Sequence, residues 1–533
     1  MPAAWMTGPT PVTTLSWLDA DIVVDASGAL TVGRDQMTYL TGWRPTQLVR
    51  GAGGRTVEPL TTPAVQTLPD EVELSWTLPS PAGELVVSGR HSFSAIWSQR
   101  WVIRNHRSVA VGPVTLPMAV GVPDAAVCWV FGAGVESSLS VQPFDPDLPV
   151  LGMAVQHGGL RHRPDGVDLG PCELAPGEAY VVELRASFFD DAAAFGRTVH
   201  GWLPPSTYLQ SGEVVVISHP DAALDDSDVP PSDDPLPPAD QLMASVQPDE
   251  SEFVDGSDGE RLLTFHDARG RTDLVLHWAK PLDRAIAEAA GTALAGDRIG
   301  NGTPRLPDVQ AGLLVQRALA DHAELDPDVA ADALDLLAAR TGEVTPWQVI
   351  FDCAEYHRTG EDDQLIRAHG TFLRNEPCAG MGLAASRLVV ALLSVGRDPV
   401  PILQRLEAAR DQVRDEDVRL ELTLVAGTVF GAGHAPHAAA VSARRLAQVV
   451  ARLGSGLRGA SVPDLPPVDR ARLLTLLSLL PELAGIWQDR MAVRPGPLVQ
   501  YAANRVLYDL EVGSRCTAAD RQALVWLTLS SDT

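Results

Sequence analysis

The residues best placed to do chemistry sit in polar loops that run into helices. In TGEVTPWQVIFDCAEYHRTGEDDQLIRAHGTFLR, positions 341–374, the loop brings a carboxylate, Glu343, close to an indole, Trp347, which opens the following helix. A tight turn at Thr359-Gly360 then leads to a second helix, and that turn side offers only a connection. A carboxylate can move a proton and an aromatic face can pack on a ligand, so the loop side is the functional side of this hairpin. The next longer loop repeats the pattern with Glu376, and the loops around positions 297–308 and 464 add Arg305, Asp308 and Asp464.

Other constellations carry less. His157, Arg161, His162 and Arg163 form a basic cluster in QHGGLRHRPDG, read as the surface of a hairpin loop because no carboxylate pair gives metal spacing. His434 and His437 have Pro436 between them and no third ligand. The glycines Gly51, Gly53 and Gly54 open no helix after a strand, so they form no phosphate loop. GxSxG, HExxH and kinase signatures are absent from the sequence. No metal and no cofactor is expected.

Composition narrows the class. A chain of 533 residues, 45% of them hydrophobic, exceeds one core and calls for two or three domains. The net charge of -27 argues against nucleic acid and anionic membranes as partners, since both need a basic face. Five cysteines, far apart and without a CxxC pair, fit buried thiols in a reducing compartment better than a disulfide framework. With no basic leader followed by an apolar run, and no apolar stretch of about 18 residues, a cytoplasmic location is expected.

The elements that must position these side chains change character along the chain. Up to about Ile217, short alternating runs such as Glu71–Leu78, Trp101–Asn105, Val127–Phe131 and Tyr180–Phe188 alternate with Gly, Pro and Asp turns. Many strands at short spacing predict a large antiparallel β-sandwich over 1–280. Positions 221–260 hold thirteen acidic residues and no Lys or Arg. This acidic excursion is expected to be mobile, and the alternative is a docking arm for a basic protein partner. From Pro281 the period becomes 3.6. A helix and loop over 281–307 read as a linker, and 308–533 as an all-α domain of helical hairpins, about twelve helices in all from Leu282 on. The fold class is thus α+β multidomain, a sandwich followed by α/α hairpins.

A β-sandwich followed by paired helices, with the turn EYHRTGEDDQLI between two of them, resembles the six-hairpin glycosidases, in which a supersandwich precedes an (α/α)6 toroid. The clan includes bacterial glucoamylase-like hydrolases and disaccharide phosphorylases. The resemblance implies catalytic groups in loops at the N-terminal ends of the inner helices. Glu343 and Glu376 hold those positions here as the acid and base, while Trp347, Arg305, Asp308 and Asp464 line the substrate. Such a pair protonates the leaving oxygen and activates water at a separation of about 6.5–9.5 Å. The partner implied is an oligosaccharide or other small substrate. The helical region, about 235 residues, is shorter than most toroids, and no segment matches the clan's catalytic ones. The competing expectation is a non-catalytic scaffold with a HEAT-like helical stack. Ring closure separates the two.

Overall fold

Strands form in the first half because apolar residues recur at every second position, and each strand buries one face while its neighbours take up its backbone hydrogen bonds. Trp97–Asn105 shows it cleanly, with every odd-numbered residue buried. The computed structural model describes residues 11–51, 56–123, 125–143, 145, 147–163, 166–204, 206–217, 223–225, 251–254, 259–300, 302–321, 323–340, 344–430, 449, 453, 465–478, 495–511 and 516–531. Among them, fourteen strands make one sheet and eight another. A shared core between the sheets holds Trp17, Trp43, Trp97 and Trp101. Trp43 donates its indole N–H to Gln99 at 2.8 Å, and Trp17 meets Trp97 edge-on at 5.8 Å. Gly89 is required at its position, because a Cβ there would lie 2.3 Å from the Trp101 ring.

The part of the larger sheet that matters for function runs in the order Gly166–Leu174, Leu160–Arg163, Ala133–Gly134, Gly270–Ala279, Gly259–Asp267. Strands Ala223–Asp225 and Ser251–Val254 pair with neighbours at the ends of the acidic stretch. Residues 226–250 lie outside the described residues. A short helix, α1 (Ala192–Gly196), capped by Asp191, follows the strand that ends at Phe189.

The second half is helical: α2 (Leu282–Ala295), α3 (Val309–Ala320), α4 (Pro327–Ala338), α5 (Pro346–Thr359), α6 (Asp362–Arg374), α7 (Met381–Ser394), α8 (Val400–Gln412), α9 (Glu416–Phe430), α10 (Pro467–Ser478), α11 (Pro495–Glu511) and α12 (Ala518–Ser531). Of the twelve or so helices expected from Leu282 on, these eleven lie among the described residues, and 431–448 lies outside them. The caps follow the sequence. Asp308 accepts from the Ala311 amide at 2.8 Å, Thr345 from Gln348 and Thr517 from Asp520, each satisfying an orphan N–H of a first turn. Gly360, at φ +75°, ends α5 in the left-handed conformation that a side chain would resist.

Helices α3, α5, α7, α9, α10 and α12 pack each against the next, and α12 returns onto α3 and α2. Among the described residues they form a closed ring around one core. An open HEAT-like stack is therefore not what this region builds. Helix α2 is an outer member of the ring and not a free linker, since Ile286, Ala289, Ala290 and Leu294 are buried in the ring core. The halves meet where α11 packs on the strands Tyr208–Gln210 and Gly270–Ala279. No described helix is long and apolar enough to cross a membrane.

Candidate functional site

The longer connections 296–308, 339–345 and 375–380 precede the inner helices α3, α5 and α7. What the side chains do there differs from expectation. Trp347 is 6% exposed, meets Trp526 of α12 edge-on at 5.0 Å, and closely approaches Gly380. Its ring is thus occupied by protein on the core side, and the stacking platform becomes a core aromatic. Asp308 is committed as well: it caps α3 and holds a two-pronged ion pair with Arg521 of α12. Glu376 is exposed in the α6–α7 loop. Arg305 is exposed and lines a cavity with Asp297, Cys516 and Arg521. Glu343 and Asp464 lie outside the described residues.

The loop carrying Glu376 is held by a carboxylate that sequence reasoning missed. Glu421 of α9 is fully buried and accepts from the backbone amides of Gly380, Gly382 and Leu383 at 3.0, 2.8 and 3.3 Å. It thereby serves the N-terminus of α7 from a neighbouring helix. Burial pushes its carboxyl above the ordinary range, against the lowering pull of those amides and of Arg472. Gly382 lies close beside it, since a Cβ there would sit 3.0 Å from the carboxylate.

Chemistry-bearing side chains converge elsewhere, in a cleft of about 500 Å³ on the face of the larger sheet beside α11. The strand Gly270–Ala279 supplies most of it. Its alternate residues Arg271, Asp273, Val275 and His277 line the cleft, while Leu276 and Trp278 belong to a separate apolar core. Asp273, 6% exposed, takes Arg161 on one oxygen and Arg271 on the other, both at 2.6 Å. Thr264 also donates to it. Arg161 arrives from the adjoining Leu160–Arg163 strand, so the basic cluster read as hairpin surface instead reaches into a cleft.

At the other end of the cleft an aromatic group assembles across the two halves. Tyr208 stacks on His277 at 4.4 Å with planes 17° apart, Tyr508 of α11 tilts against His277 at 4.7 Å, and the Arg505 guanidinium lies 5.6 Å from the Tyr208 ring. Glu260 stands 3.8 Å from the His277 Nδ1 and accepts from the Tyr508 hydroxyl at 3.5 Å. Two guanidinium groups can grip an anion, and an imidazole beside phenols can carry a proton. One signal in the sequence could have found this set: the run GRTDLVLHWA alternates polar with apolar residues on a strand whose apolar face is already spoken for. Among the described residues no group of three or more His, Cys, Asp or Glu side chains is arranged to hold a metal ion.

No family profile and no curated protein matches this sequence. A solved polysaccharide lyase matches the structure over 98% of this chain and 99% of its own, with a TM-score of 0.66 and 12% identity. An Escherichia coli K12 protein described as an aldose 1-epimerase covers 34% of this chain at a TM-score of 0.25, too low to carry an argument. The chain shares the whole architecture of the first, sandwich followed by helical region.

Proposed function

We propose that the protein is carbohydrate-active and that the cleft beside α11 takes an acidic residue of a glycan. The observation that carries this is the pair Arg161 and Arg271, converging on one carboxylate in a cleft whose far end is a Tyr208–His277 stack. A glycan carboxylate would meet charge-assisted hydrogen bonds from the guanidinium N–H groups that Asp273 and Thr264 do not take, and its ring would find aromatic surface. Clefts where domains join are where ligands most often bind. Architecture shared with a polysaccharide lyase supports the choice of substrate class.

In a lyase-type reaction a base removes the proton next to the carboxylate, the electron pair forms a C4–C5 double bond, and the glycosidic oxygen leaves C4. Arginine charge on the carboxylate stabilises the anion that develops. His277 or Tyr508 would be the base, held by Glu260. The test is to incubate the full chain with a panel of polyuronates and follow the ultraviolet absorbance of unsaturated product. Arg271→Ala is expected to lower the rate about 100-fold, the scale of losing one charge-stabilising group. An active enzyme indifferent to Arg271→Ala and His277→Ala would overturn this site.

Two-carboxylate hydrolysis by Glu343 and Glu376 is a second reading. Ring closure and the exposed position of Glu376 in the connection ahead of inner helix α7 favour it. It requires reducing ends without unsaturation, and their loss in Glu376→Gln or Glu343→Gln. Turnover unaffected by both substitutions would refute it.

A further inference from the structure

A second cavity, of about 360 Å³, lies between the end of α2, the 297–307 loop and the start of α12. Its charged walls are Arg305, Arg521 and Asp297. Arg521 is a fixed cation, 14% exposed at its side chain, pinned by Asp308 and donating to the Cys516 carbonyl at 3.1 Å. Arg305 differs. Its guanidinium makes no hydrogen bond or ion pair among the described residues, although its backbone is tied to Asp297 at 2.7 Å. Close behind it, Arg340 donates to the Leu306 carbonyl at 3.0 Å, and both burial and the charge on Arg305 lower its pKa.

Two guanidinium groups, Arg305 and Arg521, therefore line a cavity whose lining carboxylate is Asp297, and Arg521 is already committed to Asp308. In a chain of net charge -27 the Arg305 guanidinium makes no ion pair among the described residues, and the charges of Arg305 and Arg340 repel each other. An anion entering the cavity would relieve that repulsion and gain fork-shaped contacts from arginine. We propose that this cavity binds a small oxyanion, the carboxylate or phosphate of a small molecule, with Arg305 as the gripping residue and Arg521 as the fixed one. The site is independent of the glycan cleft, sharing no lining residue with it.

The experiment is calorimetric titration of the full chain with inorganic phosphate and, separately, with glucuronate. At least one should bind, and the stronger of the two identifies the source of the oxyanion. Arg305→Ala should weaken that binding about tenfold, the equivalent of about 1.4 kcal/mol. Its melting temperature should stay near the wild type, because the side chain is exposed and unpaired. Arg305→Lys should recover part of the affinity, since it restores charge without the fork. Arg271→Ala, in the other cleft, should leave phosphate binding unchanged. The proposal is overturned if neither anion binds, if Arg305→Ala binds as well as the wild type, or if the affinity follows Arg271 instead of Arg305.

Discussion

The sandwich and the ring handle buried polar groups in opposite ways. Between the sheets the buried polar side chains around Trp43 are neutral: His91 and Gln99 are at most 1% exposed, and each is engaged by a tryptophan N–H. Inside the ring they are ionic. Asp352 is fully buried against Arg367 at 2.6 Å with Gln348 donating at 2.7 Å, and Glu355 is buried against Arg358 with Gln316 at 2.5 Å. The reason lies in the packing. Packed helices lay polar stripes against one another, so Asp352 of α5 meets Arg367 of α6 and Glu355 meets Gln316 of α3. On the sheet face, by contrast, the paired charges Asp273, Arg161 and Arg271 line a cleft.

The strongest test of this contrast is Trp347→Ala. If the indole is ring core, the substitution should cost about 3–5 kcal/mol of stability, as large-to-small changes in cores do. Denaturant unfolding reads it, and a small loss accompanied by weaker glycan binding would return Trp347 to the substrate. Next comes Glu421→Ala, which leaves three buried amides without their acceptor and should cost about 3 kcal/mol. Glu421→Gln keeps one acceptor oxygen but turns an N–H₂ toward the Gly380 amide, so about 1 kcal/mol is expected. Equal losses in the two variants would mean that the amide contacts contribute little.

Acid should act oppositely on the two regions. Full burial pushes the His91 imidazole down to about 3, while an unfolded histidine takes a proton near pH 6.5. Protonation then favours the unfolded chain, and the stability His91 retains above about pH 6.5 is lost as pH falls toward 3, about 2 kcal/mol of it by pH 5. Glu421 has the reverse sign: its raised folded pKa gives stability that is present below the unfolded value near 4.3 and is lost as pH rises. Stability measured against pH in His91→Leu should fall less on the acid side, and an unchanged acid limb would reject the assignment. The smallest effect is expected for Glu376→Gln, within about 0.5 kcal/mol by thermal melt, since its side chain is exposed. A large loss there would show that Glu376 is also bound into the ring.

Local periodicity and punctuation were enough for the architecture. Alternation in Glu71–Leu78 and Trp101–Asn105 marked strands that the sheets contain, and the switch at Pro281 marked the helices. Asp308, Thr345 and Thr517 are of the residue types that cap helices, and each caps through a contact between residues three apart. Thus the sequence determined what depends on neighbours in the chain: strands, helices, caps and the order of the two halves. Only the tertiary structure decided what depends on distant ones. The ring closes through Asp308 and Arg521, Glu421 caps a helix that starts forty residues earlier, and Tyr208, His277 and Tyr508 meet across more than two hundred positions. A side chain's type fixes what it can do. Whether it is spent on a helix terminus or left facing a cleft is set by which elements pack beside it, and that is written in no single stretch of sequence.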